Sequence, residues 1–299
     1  MISPPSSRPS NQDGVVLISV LWIVVVMSLL ISTFGASVRT AVAINHTERA
    51  LAQVEALSDA GIELAVSGLL APPASRWQAD GRVYKERFGG ARLSLQVHDA
   101  NGFLDINYAT GETLLAVLEG AMNSRGAARA IHDFILQRRQ AIKARPDAPT
   151  NQDDTTREPS DRLHKPVAFQ DLSELLAVPG MTAAKLTRLA RILTVHSAGK
   201  GINLATAPIE LLRLLPQISS QQINQMIEAR KTATTDTIAA SIVSSSQTRF
   251  TRDEGPAYKI AVAVAGKGFA KPIKATATIL INNDASSPYF GLSWRPVGD

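Results

Sequence analysis

From Val15 to Val38 the chain reads VVLISVLWIVVVMSLLISTFGASV, 24 residues without one charged side chain, and no other feature restricts the fold as much. As a helix this stretch extends about 36 Å, enough to cross a hydrocarbon layer of roughly 30 Å with some tilt. Only a polar leader, MISPPSSRPSNQDG, stands before it. A buried helix of a soluble core shows charge on some face over such a length. A single membrane span, with most of the chain on its far side, is the reading that follows. A cleaved secretory signal stays open beside it, because Ala41 and Ala43 form an A-x-A pattern. Against that alternative, the apolar run is long for a signal, the leader carries only Arg8, and Arg39 intrudes before the site. Orientation is weakly set, since Arg8 and the amino terminus offset Asp13 on one side and Arg39 stands on the other.

Composition excludes more than it selects. At 299 residues there is room for one large or two modest domains. Cysteine is absent, which removes disulfides, thiol nucleophiles and Cys-type metal sites. The 31 Lys and Arg exceed the 26 Asp and Glu by five, a mild basicity that suits a membrane surface or an acidic partner. Aromatics, at 5%, are too few for a stacking platform for single-stranded nucleic acid.

Helical character continues beyond the apolar run. From Arg39 to about Leu70 no proline interrupts, and Leu51, Val54, Leu57, Gly61 and Leu64 form one stripe. Pro72 and Pro73 end the helix. Arg92 to His98 alternates strictly, so Leu93, Leu95 and Val97 share a strand face. Asn101-Gly102 then reads as a hairpin turn before a strand over Phe103–Asn107, and an earlier strand lies near Arg82–Phe88. Asp99, Asn101, Asp105 and Asn107 read as turn chemistry, because their spacing is not that of a calcium loop. Strands return at Lys259–Val264 and Ala275–Ile281. One antiparallel sheet joining early and late strands, packed on the helix stripe, makes the intervening residues an insertion.

The insertion is helical and repetitive. Ile106-Asn-Tyr-Ala-Thr110 matches Ile202-Asn-Leu-Ala-Thr206, and each leads into a leucine-rich segment, Leu114–Leu118 and Leu211–Leu215. A second amphipathic run follows each, Ala130–Arg138 and Gln222–Arg230. Between them, Leu172-Ser-Glu-Leu-Leu-Ala-Val-Pro-Gly-Met-Thr182 forms a third unit of the same helix-turn-helix design. Residues 145–166, rich in Asp, Thr and Pro, read as a loop, and Lys231–Thr251 as a linker.

Four features together resemble one family: the leader ending in Gly14 before Val15-Val-Leu-Ile; the segment Ala60-Gly-Ile-Glu-Leu-Ala65; the run Val97-His-Asp-Ala-Asn-Gly-Phe-Leu-Asp-Ile-Asn107; and Phe169-Gln-Asp-Leu-Ser-Glu-Leu with Gly201-Ile-Asn-Leu-Ala-Thr-Ala-Pro-Ile-Glu-Leu-Leu212. They are similar to general secretion pathway protein K, the large minor pseudopilins of bacterial type II secretion systems. The resemblance implies an α+β pseudopilin fold, a long N-terminal helix packed on an antiparallel sheet, with a large all-α insertion containing helix-hairpin-helix-like repeats. It implies a prepilin leader over 1–14, a transmembrane helix over 15–38, a head from 39–108 and 252–299, and an inserted domain over 109–251. A prepilin peptidase would cut between Gly14 and Val15 and methylate Val15. The protein would then stand in the inner membrane lipid as a single-pass subunit with its head in the periplasm. Its partners would be minor pseudopilins I and J, with which it primes and caps the major pseudopilin filament for protein export across the outer membrane.

Ser19, the fifth residue counted from Val15, marks the tip position under this resemblance. Most pilin-like proteins carry Glu there, and a carboxylate in an apolar filament core is tolerable only when a neighbour's charged amino terminus pairs it. A subunit with nothing beyond it gains from an uncharged residue. The bland reading is a serine bonded to its own helix backbone. Two departures stand out: Asp13 where such leaders present a basic residue, and His132–Arg139 without the acidic cluster that accompanies calcium in some family members. Asp153, Asp154, Asp161 and Asp284 are the remaining oxygen donors, so no calcium ligand is assigned and no other cofactor is expected.

The rival reading comes from the insertion, whose repeats also resemble helix-hairpin-helix modules of membrane-anchored DNA receptors in competence or type IV pilus systems. Such hairpins hold a phosphate on backbone N–H groups beside basic side chains. Val178–Thr182 has one glycine and Leu215–Ser219 none, leaving Lys185, Arg188 and Arg191 as the basic stripe, so nucleic acid is not the expected partner. Nothing marks an enzyme. The five histidines, His46, His98, His132, His164 and His196, lack ligand spacing, and neither a nucleophile elbow nor a P-loop occurs.

Overall fold

The computed structural model describes residues 13–122, 124–144, 167–197, 199, 201–231, 250–251, 254–266, 272–282 and 288–297, with the side chains of 13–15, 32–47, 143, 231 and 295–297 left out. The loop expected over 145–166, most of the linker over 231–251, and Asp153, Asp154, Asp161 and Asp284 therefore lie outside the described residues. Contacts divide the chain into two units, residues 1–56 and 57–299.

The first unit is the leading part of helix α1, which runs unbroken over Asp13–Leu70. In the second unit the last turns of α1 lie on a five-stranded antiparallel sheet. Its strands are β1 (Asp80–Phe88), β2 (Ala91–Asp99), β7 (Ala257–Ala265), β8 (Ile273–Ile281) and β9 (Tyr289–Val297), in the order β1-β2-β7-β8-β9. Early and late strands thus share one sheet, as the alternation predicts. Leu93, Leu95 and Val97 are buried on one face beside Ile260, Val262 and Val264, and α1 supplies Leu57, Ile62, Ala65, Val66 and Leu69 to the same core. Gly61 sets the approach: a Cβ there would stand 2.8 Å from Val262 Cγ1 and 3.1 Å from Leu95 Cδ2. The stripe begins later than predicted, since Leu51 is 62% exposed.

Three expectations need correction. Asn101-Gly102 is not a hairpin turn; it lies in a 3-10 turn, Ala100–Gly102, capped by the Asp99 side chain, which accepts the Asn101 N–H. That bond diverts the chain out of the sheet before a hairpin can form. The hairpin is instead β1–β2, turned by Gly89 and Gly90, whose consecutive positive φ values of 56° and 77° suit a two-residue reversal. Second, the sheet has a further strand, β9, beyond those the alternation predicts, because glycine and proline in YFGLSWRPV obscure its period. Third, the segment between β2 and β7 is not wholly helical. Two-residue strands pair in parallel there, β3 (Leu104–Asp105) with β4 (Leu193–Thr194) and β5 (Ile202–Asn203) with β6 (Phe250–Thr251). Strands that short carry no legible period.

Around these bridges stand three helix pairs. α2 (Gly111–Ala121) and α3 (Arg125–Lys143) form the first, and a 3-10 turn over Leu172–Ala177 with α4 (Ala183–Leu189) the second. α5 (Ile209–Leu212) and α6 (Ser220–Lys231) form the third. Side-chain caps start most of them: Thr110, Ser124 and Thr182 accept backbone N–H groups, and Asp171 with Glu174 makes a capping box. Pro208 opens α5 without such a bond, and α5 is four residues long. The helix pairs bury their own apolar cluster, with Leu114, Leu118, Ile131, Ile135, Phe169, Leu189, Leu211 and Met226 among its members.

Candidate assembly surface and buried junction

The first unit offers an apolar surface. Every residue from Val16 to Ile31 is exposed, and the large ones among them range from 42% at Val26 to 75% at Leu17. Apolar exposure on every side of a helix is unusual for a surface that faces water alone. The described part of this ring, 16 residues, is about 24 Å long. Among the described residues no helix is long and apolar enough to cross a membrane. The expected span over 15–38 runs on into residues whose side chains lie outside the description.

The junction Gly14–Val15 lies in the first turn of α1. Ser19 faces outward, and its hydroxyl donates to the Val16 carbonyl oxygen at 2.9 Å, the local bond common for serine in an apolar helix. Gly14, Val15 and Ser19 share the start of one helix.

Behind the two I-N-x-A-T motifs the second unit holds a polar junction. Asp99, wholly buried at the end of β2, accepts four uncharged donors. Its Oδ1 takes the N–H groups of Asn101 at 2.9 Å and Gly255 at 3.0 Å, and its Oδ2 takes Asn203 Nδ2 at 3.2 Å and Thr206 Oγ1 at 3.4 Å. The second motif is thereby tied to β2 and to the chain entering β7. Burial pushes the Asp99 carboxyl up to about 6, with Glu254 adding in the same direction and the hydrogen bonds opposing. Close packing reinforces the tie, since a Cβ on Gly102 would stand 2.8 Å from the Thr206 carbonyl oxygen.

The first motif is closed differently. Asp105 accepts the N–H of Asn107 at 2.7 Å and of Ser197 at 2.9 Å, and burial raises its carboxyl to about 6. Asn107 bonds Phe169 reciprocally: its Nδ2 donates to the carbonyl oxygen and its Oδ1 accepts the N–H, both at 2.9 Å. Each motif is also gripped by an arginine from the second helix of its pair. Arg139 donates to the Ala109 carbonyl oxygen at 2.7 Å; Arg230 donates to those of Leu204 and Ala207 at 2.9 and 2.7 Å. Both guanidinium groups are held below their usual range by burial. Sequence alignment of the two runs sets Arg138 against Arg230, but Arg138 pairs with Glu174 and covers the Phe169 ring. The adjacent residue does the gripping.

Asp99 and Asp105 each accept the N–H two residues on, so their side chains do perform turn chemistry. Beside the first motif a cavity of about 40 Å³, lined by Asp105, Tyr108, Thr113 and Ser197, is far too small for an organic substrate. Among the described residues no cluster of three His, Asp or Glu has metal-binding proximity. His98 and His196 are held near 4, burial being the main cause in each, and His98 packs edge-on to Phe103. Of the basic stripe, Lys185 on α4 donates its Nζ to the Gly180 carbonyl oxygen, and Arg191, two residues past the end of α4, pairs with Glu210.

No family model matches the chain, and no curated protein matches it. Among solved structures it is similar to a chain in the crystal structure of the GspK-GspI-GspJ complex from the type 2 secretion system of enterotoxigenic Escherichia coli. The identity is 14% and the TM-score 0.49, with 85% of this chain and 99% of that chain covered.

Proposed function

We propose that this chain is a minor pseudopilin of the K type, acting at the tip of a type II secretion pseudopilus. In this reading prepilin peptidase cleaves between Gly14 and Val15 and methylates Val15. Residues 15–38 hold the subunit in the bacterial inner membrane with its head in the periplasm. Minor pseudopilins I and J join it to prime the filament and cap it. The observation that carries the reading is the contrast along α1: an exposed uncharged ring over 16–31, then a stripe from Leu57 to Leu69 that packs under an antiparallel sheet. A helix of that kind is built to be shared between lipid and neighbouring helices while its far part belongs to a head. The motifs quoted for the resemblance support the K type, and an uncharged Ser19 suits a subunit with no neighbour above it.

Mass spectrometry of the amino terminus of protein extracted from membranes tests this directly. A start at methylated Val15 is expected. A start at Ile44 would mean ordinary secretion, and a start at Met1 a plain anchor; either result sinks the reading.

A further inference from the structure

The sheet has a second face, turned away from α1. Toward Ala257 that face is covered: Lys259 Nζ donates to the Ala190 carbonyl oxygen at 2.8 Å and stands 4.0 Å from the Phe103 ring centre. Ala100, Ala257 and Leu280 pack beside Phe290 and Leu292 there. Among the described residues the other half has no such cover. Across it Lys85, Ser94, Ala263 and Lys274 are in register on four strands, with Arg87, Arg92 and Ala265 in the next row. All four cations are exposed, and none forms an ion pair among the described residues. No carboxylate lies in either row; Glu86 is paired with Leu93, on the α1 side.

Two features of this half-face do nothing for the sheet itself. Arg87 stands directly opposite Arg92, and like charges across strands cost stability. On β7 the outward positions are Ala261, Ala263 and Ala265, although alanine is a poor strand former, while the inward ones are Ile260, Val262 and Val264. The result is a shallow alanine floor with Arg92 one strand away on one side and Lys274 one strand away on the other. Strands about 4.8 Å apart place those flanking positions roughly 10 Å from each other, the width of a helix.

We propose that this half-face is a docking platform for an acidic helix of another protein, laid along the alanine column with its carboxylates against Lys85, Arg87, Arg92 and Lys274. Acidic residues at i and i+4 on a helix are about 6 Å apart along its axis, close to the roughly 7 Å between successive outward rows of a sheet. Which proteins the platform meets rests on the pseudopilin reading. The platform's chemistry does not depend on that reading.

The test uses the full-length protein in detergent micelles and a fluorescent alanine-based helical peptide carrying glutamates at i, i+4 positions. Its glutamine counterpart and phosphatidylglycerol vesicles serve as the other probes. The glutamate peptide should bind, more weakly as salt rises, and lose at least tenfold in affinity with Arg92→Glu plus Lys274→Glu. Ala263→Leu, which fills the floor without changing charge, should weaken it comparably while circular dichroism stays unchanged. Arg188→Glu on α4 should have no effect. Failure of the glutamate peptide to bind, equal binding of the glutamine peptide, or equal loss with Arg188→Glu would overturn the proposal. So would binding to the vesicles alone, which would make the patch a lipid-headgroup surface. The amino-terminal measurement decides the pseudopilin reading separately, so the two can fail independently.

Discussion

The two I-N-x-A-T motifs have nearly the same residues and opposite attachments. The first, Ile106–Thr110, is closed within the helix pairs by Asp105, Asn107 and Arg139. The second, Ile202–Thr206, is gripped in the same way by Arg230 but also reaches Asp99 at the end of β2. One repeat builds the helical region and the other fastens it to the sheet. A repeated motif therefore fixes local structure, while its attachment depends on which buried acceptor the chain brings beside it.

The largest expected effects come from removing those acceptors. Asp99→Ala strands two backbone N–H groups in the interior and removes an acceptor shared by the Asn203 and Thr206 side chains, and should cost about 3–5 kcal/mol. Asp105→Ala strands two backbone N–H groups and should cost about 2–3 kcal/mol. Urea unfolding of the two variants checks the order; equal losses would erase the contrast between the motifs.

Glycine substitutions come next, and should differ in sign. Gly102→Ala forces a Cβ against backbone atoms of Thr206 at 2.8 and 2.9 Å, so a loss of about 1–3 kcal/mol is expected. Gly111→Ala, at the start of α2 beside the first motif, meets only ordinary contacts from 3.5 Å outward and should gain roughly 0.5 kcal/mol. Thermal melts of both variants read the comparison without chemical denaturant.

The arginine grips offer a smaller and more symmetric comparison. Arg230→Met loses bonds to two carbonyl oxygens and Arg139→Met to one. Losses of about 2 and about 1 kcal/mol are expected, because a desolvated guanidinium offsets part of what its bonds contribute. Hydrogen exchange should show added opening at 202–207 in the first variant and at 106–110 in the second.

The smallest signal in the native protein is its pH dependence, because opposed groups cancel. Asp99 and Asp105, raised to about 6, contribute stability that is present at low pH and lost as pH rises through 6. His98 and His196, lowered to about 4, contribute stability that is present above 6.5 and lost as pH falls toward 4. Between about 4 and 6 the folded chain holds two carboxyl protons where the unfolded chain holds two imidazole protons, so these four groups leave stability nearly flat. His98→Gln should unmask a gain on acidification across that window, and Asp105→Asn a loss. A His98→Gln variant whose melting temperature does not rise from pH 6 to pH 4.5 would contradict this balance.

The helix and most of the sheet were legible in the residues. Strict alternation at Leu93, Leu95 and Val97 read as a strand because every second side chain is buried against α1, and proline-free periodicity carried the helix to Leu70. The motifs were legible as repeats, and Asp99 and Asp105 as turn formers. The bridges β3–β4 and β5–β6 were not, because two residues carry no period. Nor were the arginine grips visible, since Arg138 and Arg139 differ only in the direction each takes from α3.

What the sequence determined by itself is local: where charge is absent, where a period holds, and which side chains can turn the backbone. The tertiary structure alone decided that Asn101-Gly102 leaves the sheet instead of reversing within it, and that the second motif, not the first, meets Asp99. The reason is physical. A buried carboxylate must take its donors from whatever segments pack around it, and Asn203 lies 104 positions from Asp99 along the chain. No local pattern records a bond of that reach.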